Sequence, residues 1–519
     1  MNLAMLLDLP AMIVPDDVAL VDLSAEGGPR QVTYGELRAD VGLVAGMLTG
    51  LGVEPGDRVG VWSTNRASVL EALFAASAVG ATVVPMNFRA GPEEGAHLLA
   101  DSGVKVLFTE QRYRDLIEEV RPTTLEHVFF LDDPADYEAA RDAAEENPLV
   151  ADVEDEDLAA LLYTSGTTSL PKGVRLNHGA LTGYVMGTND AADGTDQGRM
   201  LLAAPMYHIA GLTSLLNALY SGRVTVIMPQ FETGAWLEAV GTHQVTHAFL
   251  VPTMLARLLD DPGFESADLS GLEALTYGAA PMPPSVIRRA IDAFPPNVSF
   301  AGAYGQTETT STVAVLDPDD HRLEGSPDEV ETKLRRLRSV GQVLDDVELR
   351  IVDANDNPVG PNVGGEVQLR TFRVMDGYWG NDEKTRVTID DEGWVHTGDL
   401  GHLDEDDYLF LEGRTGDMII RGGENVSPEE IEAILYEHPD VLEAGVVGRT
   451  DEAWGEVAVA AAVIRQGSGT TIEDLLAHAR ERLAPFKRPE RIILVEELPR
   501  TSTGKLLRRD LLEMFEDGS

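Results

Sequence analysis

Residues 163 to 174 read YTSGTTSLPKGV, and this run of hydroxyls and glycines ahead of a lysine constrains the chain more than any other segment. Gly166 and Gly173 let a backbone turn tightly and approach a ligand. Thr164, Ser165, Thr167 and Thr168 offer hydroxyl donors, and Lys172 adds a movable positive charge. Such a loop suits a polyphosphate. It is not the Walker loop, in which the lysine is followed directly by Ser or Thr and opens a helix, because Pro171 precedes Lys172 and Gly173 follows it. Kinases and GTPases of that type are disfavoured.

At 519 residues the chain exceeds what one core serves, since single cores stop growing near roughly 250 to 300 residues, so at least two domains are expected. Hydrophobic residues make up 43%, enough for a sizeable core, and no apolar run approaches the roughly 18 residues of a membrane span. The start, MNLAMLLDLPAMIV, lacks a basic lead-in and carries Asp8, which reads as a short buried helix rather than a secretory signal, with a cytoplasmic address by default. The absence of cysteine excludes disulfides, thiolate metal sites and a cysteine nucleophile. The balance of 88 acidic against 40 basic side chains, a formal charge of −48, repels nucleic acid and anionic lipid.

Short β-branched runs alternate with segments of helical spacing over the first four hundred residues, the pattern of parallel βαβ units. Helices are expected at 35–51, 66–79 and 92–101, and strands at 57–62, 81–85 and 104–108. Residues 132–157, rich in Asp, Glu and Ala, read as an exposed acidic linker or a solvated helix, and residues 317–338 as a charged surface excursion. Strands and turns follow in VELRIVD, GGEVQLR, GYW and DYLFLEGR. From Ser427 the spacing predicts a compact α/β unit of a size that suits a separate small domain.

Four further strings carry chemistry: YGQTE at 304–308, WVHTGDL at 394–400, GRTGDMIIRGGENVSPEEIE at 414–432 and PRTSTGKLLRRDL at 499–511. Glu308 is a hard oxygen ligand of the kind Mg²⁺ prefers, beside the Thr307 hydroxyl and the Tyr304 ring. Asp399 is suited to accept ribose hydroxyls. Lys505 stands in an STGK turn, where a lysine can enter a site and leave it again.

With the phosphate loop, and with PMYHIAG at 205–211 and VPTM at 251–254, these strings resemble the adenylate-forming superfamily of acyl-CoA synthetases, luciferases and adenylation domains, over nearly the whole chain. The resemblance implies an α/β fold. A large N-terminal domain of βαβ subdomains with a small β-barrel-like part would span 1–414, and a small mobile α+β domain with the catalytic lysine 415–519. It implies an AMP-forming acid–thiol ligase acting on a carboxylic acid, fatty or aromatic, with ATP, Mg²⁺ and CoA.

By that resemblance Tyr304 and Gly305 flank the adenine, Thr307 contacts phosphate, Glu308 and Thr164 hold the metal, and Asp399 and Arg414 take the ribose. Lys505 bridges the acyl carboxylate and the α-phosphate. Gly422 and Gly423 form the thiol tunnel, while Trp454, Phe486, Lys487 and Arg488 meet the nucleotide of CoA. His208 is a wall or gate of the acyl pocket, completed by Gly278, Ala279, Ala280 and Ala301–Ala303. Those small side chains leave room for a bulky acyl group, and close approach of backbone to adenine is an equally good reason for them.

Two positions depart from the family pattern: Ser169 replaces a glycine of the loop, and Gly416 an Asp or Lys at the hinge. Within the resemblance, a carrier-protein-loading enzyme and a luciferase-like oxygenase are the rivals, and a homodimer is compatible with it. Charge self-repulsion fades only as the Debye length shrinks, from about 10 Å at 0.1 M salt to about 3 Å at 1 M, which points to a salt-rich cytoplasm. The thermal midpoint and the activity are expected to fall together as salt drops below about 0.1 M, followed by calorimetry and turnover over a KCl series.

Overall fold

The computed structural model describes residues 1–25, 27–164, 170–500 and 506–516. Two parallel-rich sheets form the large part. In the six-stranded sheet the order is 127–130, 106–109, 58–62, 82–85, 158–164 and 172–177, all parallel pairs except the last. The nine-stranded sheet runs 342–343, 311–316, 299–306, 274–278, 247–250, 199–202, 224–227, 18–22, 30–33. Its five central neighbours from 299–306 to 224–227 are parallel, so the loops leaving their C-terminal ends gather on one edge, where open α/β sheets place ligands.

The helices start where local chemistry dictates. In Tyr34–Gly50, Thr33 accepts from Glu36 N and the Glu36 carboxylate accepts from Thr33 N, a reciprocal cap. Pro92–Ser102 opens on proline with Glu93 and Glu94 in its first turn, and stops at Gly103 with φ +62°. The N-terminal helix Met5–Ile13 buries Leu6, Leu7 and Pro10, as the sequence predicts.

Beyond residue 342 the chain forms a four-stranded antiparallel sheet of 348–352, 365–370, 395–403 and 409–414. GYW is not a strand but makes one bridge, Val174 to Tyr378. After Arg414 the next strand, Ile419–Arg421, belongs to a different, five-stranded sheet with its own core around Ile431, Leu435, Val446 and Ala460. No helix among the described residues is long and apolar enough to cross a membrane.

The acidic stretch 132–157 is not simply exposed. Gly42 and Gly46 open a groove on the helix Tyr34–Gly50: a Cβ at Gly46 would lie 1.8 Å from the Glu145 carbonyl, and Asn147 N donates to Gly42 O at 2.9 Å. The short helix Tyr137–Asp142 buries Tyr137 and Arg141 against Glu71. Tyr137 Oη and Arg141 Nη1 both donate to Glu71 Oε2, at 2.6 and 3.1 Å. In the 317–338 excursion, Asp320 and His321 are likewise buried, while the helix Pro327–Arg336 buries nothing.

Burial, and next the Asp40 charge, raise the Glu71 carboxyl above its ordinary value, while Tyr137 and Arg141 oppose the rise. A raised folded-state value means stability is fullest in acid and is lost as pH rises through it. Removing the cation widens that loss. Arg141→Met is expected to cost about 3–5 kcal/mol at pH 7.5 and clearly less at pH 4.5, measured by urea unfolding at both values.

Candidate active site

A cavity of about 1260 Å³ opens where these elements meet. Loops from the C-terminal edge of the nine-stranded sheet supply His208, Ala279, Ala280 and Glu308, and the end of the strand 299–306 supplies Tyr304. From the six-stranded sheet come Tyr163, Thr164 and Lys172, and from the four-stranded sheet Asp399 and Arg414. Arg500, Leu506 and Arg508 close another side.

Asp399 and Arg414 face each other across adjacent strands, with Arg414 Nε 2.7 Å from Asp399 Oδ1. Tyr304 Oη and Gln306 Nε2 donate to Asp399 Oδ2 at 2.6 and 2.7 Å, and Arg414 Nη2 donates to Thr397 O at 3.0 Å. Burial, and then the Asp399 carboxylate, hold the Tyr304 phenol well above its ordinary value, so it stays a donor. Burial pulls the Arg414 guanidinium down, but Asp399 and then Glu308 carry it above its usual range. A carboxylate has about four lone-pair sites, so the three donors on Asp399 leave roughly one. A ribose hydroxyl can take it; a second would have to replace Tyr304 or Gln306.

Glu308 Oε1 accepts from Tyr378 Oη at 2.7 Å, which orients the carboxylate and leaves its other oxygen for a ligand. Thr164 pairs with Lys172 in the hairpin register, and both line the cavity with Glu308. A carboxylate plus a hydroxyl fits Mg²⁺, which keeps most of its shell for water and phosphate oxygens.

Glycines are demanded at two points: a Cβ would lie 1.8 Å from the Ser311 carbonyl at Gly305, and 2.3 Å from the Ala303 carbonyl at Gly278. Thr307 is buried beside Glu308. Past it the chain takes left-handed turns at Thr310 and Ser311, with φ 51° and 78°, costly for residues with a side chain.

Arg373, which the sequence reading missed, holds that turn in place. Its guanidinium pairs with Asp346 at 2.6 and 3.0 Å, and its Nη1 reaches the Thr309, Thr310 and Thr312 carbonyls at 3.4, 3.4 and 3.2 Å. Gln306, Tyr378 and Thr397 were missed as well. No spacing announces them, because Gln306 and Tyr378 act on carboxylates 93 and 70 residues away and Thr397 through its backbone carbonyl.

His208 caps the helix Ile209–Tyr220, with Nδ1 accepting from Ala210 N at 3.3 Å. Burial lowers the ring to about 4, so at neutral pH it is uncharged and carries its hydrogen on Nε2. Ser165, Gly166, Thr167, Thr168, Ser169 and Lys505 lie outside the described residues. Arg500 and Leu506, on either side of Lys505, pair in an antiparallel bridge and both line the cavity.

Gly422, Gly423, Trp454, Phe486 and Arg488 are not among the residues lining the cavity; most of them share a separate surface. Gly422 N donates to Trp454 O at 2.7 Å, and Arg421 Nη1 reaches the carbonyls of Phe486 and Arg488 at 3.1 and 3.2 Å. The expected cationic pair is committed elsewhere: Lys487 binds Glu430 at 2.6 Å, and Arg488 donates to the Leu483 and Arg480 carbonyls.

Residues 11–379 match the family described as AMP-binding enzyme, and residues 430–505 match the AMP-binding enzyme C-terminal domain. The chain is 37% identical over 489 residues to a feruloyl-CoA synthase of Amycolatopsis sp, covering 94% of this chain and 95% of that one. It is 34% identical to an indoleacetate–CoA ligase of Aromatoleum aromaticum, covering 93% of each. The solved anthranilate CoA ligase AuaEII with anthranoyl-AMP superposes with a TM-score of 0.89 at 27% identity, over 99% of this chain and 97% of that one.

Arg373→Met removes the cation paired with Asp346 and strips donors from three carbonyls of the Thr309–Thr312 turn. We expect a loss of about 3–5 kcal/mol in unfolding free energy, and weaker binding of Mg·ATP because Glu308 sits on that turn, read by chemical unfolding and ATP titration.

Proposed function

Because the chain belongs to the AMP-binding enzyme family, we propose that it is an AMP-forming acyl-CoA synthetase that activates an aromatic or fatty carboxylic acid, with an aryl acid favoured. One observation carries the reading: a single cavity is lined both by charged groups, Lys172, Glu308, Asp399 and Arg414, and by small and apolar side chains, Ala279, Ala280, Ala303 and Phe249, with His208 among them. The named aromatic-acid ligases among the relatives favour the aryl choice.

The acid is already a nucleophile at neutral pH, so its attack on the α-phosphate needs no general base, only alignment and neutralised charge. Lys172 meets phosphate oxygens, Tyr304 flanks the adenine, and Asp399 with Arg414 hold the ribose. His208, uncharged and on the cavity wall, would offer the acid a neutral donor without adding a further positive charge. Mg²⁺ held by Glu308 and Thr164 would neutralise phosphate oxygens. Pyrophosphate leaves, and the mixed anhydride that remains is open to attack by the CoA thiol.

Residues 1–414 would bind ATP and acid, with 415–519 as the moving part. Arg500 and Leu506 on the cavity wall fit the arrangement for adenylation, in which Lys505 serves the carboxylate and α-phosphate. The Gly422 surface, with Trp454 and Phe486, would replace it for the thiol step. Gly416 at the hinge eases that exchange.

Lys505→Ala is expected to lower acid-dependent pyrophosphate release roughly 10²- to 10³-fold while sparing thioester formation from supplied acyl-adenylate. Gly423→Leu is expected to do the reverse. A panel of aryl and fatty acids scored by pyrophosphate release identifies the substrate, and no CoA-dependent AMP formation with any of them would defeat the reading.

A further inference from the structure

We propose that His97 and Asp101, one turn apart on the helix Pro92–Ser102, are positioning residues that clamp the two ends of the phosphate loop and thereby fix where Thr164 and Lys172 face the nucleotide. The proposal rests on the ATP-binding reading of the cavity.

At one end of the loop, Tyr163 Oη donates to Asp101 Oδ2 at 2.6 Å. At the other, His97 Nε2 lies 2.8 Å from the Pro171 carbonyl. A carbonyl only accepts, so Nε2 carries the hydrogen and the ring tautomer is set. The His97 and Tyr163 rings also meet edge to face, with centroids 6.2 Å apart at 87°. One helix face therefore grips both arms of the hairpin: Tyr163 immediately precedes Thr164, and Pro171 immediately precedes Lys172.

The hairpin ladder among the described residues runs up to the Thr164–Lys172 pair, so these contacts lie at its mouth. Trp379 braces the same place from a third element. Its backbone N donates to Gly173 O at 2.8 Å and its indole Nε1 to Asp101 O at 3.0 Å, with Arg58 over the ring at 5.9 Å. The helix itself is anchored in the core: Leu98 and Leu99 are buried, and a Cβ at Gly95 would come within 2.5 Å of the Trp62 ring. The helix thus serves as a fixed support to which Tyr163 and Pro171 are both tied. Burial, and then Asp101, raise the Tyr163 phenol, so it remains a donor over the working pH range.

A loop that binds phosphate through hydroxyls and one lysine depends on how closely those groups are held before the ligand arrives, because ordering them afterwards subtracts from affinity. His97 touches neither substrate nor reacting atoms in this argument. It acts through the Pro171 carbonyl.

The test compares His97→Phe, which keeps a ring and removes the donor, with His97→Gln, whose amide can place an N–H near the Nε2 position. ATP affinity is measured directly by calorimetry without acid, and backbone hydrogen exchange is followed for the peptide 158–177. The phenylalanine variant is expected to weaken ATP binding about three- to tenfold, the effect of one lost hydrogen bond, and to speed exchange in that peptide. Glutamine is expected to restore both, with KM for the acid unchanged in each variant. Unchanged exchange and affinity in His97→Phe, or a glutamine variant no better than phenylalanine, would overturn the clamp. Failure of the wild type to bind ATP would count against the ATP reading instead, and the exchange comparison would still decide the clamp.

Discussion

The carboxylate of Asp399 is the point on which the rest of the structure depends. Tyr304 and Gln306 reach it from the nine-stranded sheet, and Arg414 reaches it across the four-stranded sheet, one residue before the chain departs for the five-stranded one. Asp399 is 7% exposed, so each missing partner would leave a charged group partly unsatisfied, at roughly 1–3 kcal/mol or more. These three partners, with the Gln306 Nε2 bond to Thr397 O at 3.2 Å and the paired bonds of Leu409 with Val340 and Gly341, tie the two sheets together. Tyr304 and Arg414 are therefore positioned by one group, and on the proposed reading a nucleotide that enters exchanges bonds with a knot already formed.

How much of this was legible in the sequence follows from the range of the interactions. Hydrophobic periodicity located the βαβ units to within a residue or two, because a strand such as Thr82–Pro85, buried throughout, and a helix such as Ala67–Ala78 declare themselves locally. Candidate residues that lie inside contiguous strings, Tyr304, Glu308, Asp399 and Arg414, were readable, and the structure brings these four together. Arg373, Tyr378 and His97 were not, because each works by hydrogen-bonding a carbonyl or carboxylate distant in sequence. The docking of 145–147 onto Gly42 and Gly46 was missed for the same reason: composition spoke of acid, and only a glycine pair on another helix made room for backbone. The intramolecular partners of Lys487 and Arg488 were equally illegible, since the carboxylate of Glu430 and the carbonyl of Leu483 come near them only in the fold.

Charge bears on the end of the chain as much as on the nucleotide. Arg508, three residues beyond Lys505, is bound to Glu429 and Glu432 and lies 3.3 Å from Asp417, so one guanidinium faces three carboxylates. Burial raises the Glu429 carboxyl, against the pull of Arg508. Asp417 follows Gly416, and Glu429 and Glu432 lie on the helix Pro428–Tyr436, so Arg508 ties the segment after the lysine to the chain just past Arg414. If the small unit rotates as proposed, these four residues move together, and Gly416, with no atom within 4 Å of a Cβ built there, leaves the segment ahead of them uncrowded.

The same balance governs how a chain of −48 admits ATP, itself a polyanion. At 0.15 M salt the Debye length is about 8 Å, so most surface carboxylates are screened from the cavity, whereas Lys172 and Arg414 lie within contact reach of a ligand there. Salt weakens exposed long-range repulsion far more than it weakens attraction between partly buried groups at short range. Raising ionic strength therefore removes the opposing contribution first, so the excess of surface acid opposes the polyanion in a dilute medium and fades in a salty one, while Lys172 and Arg414 keep their short-range attraction.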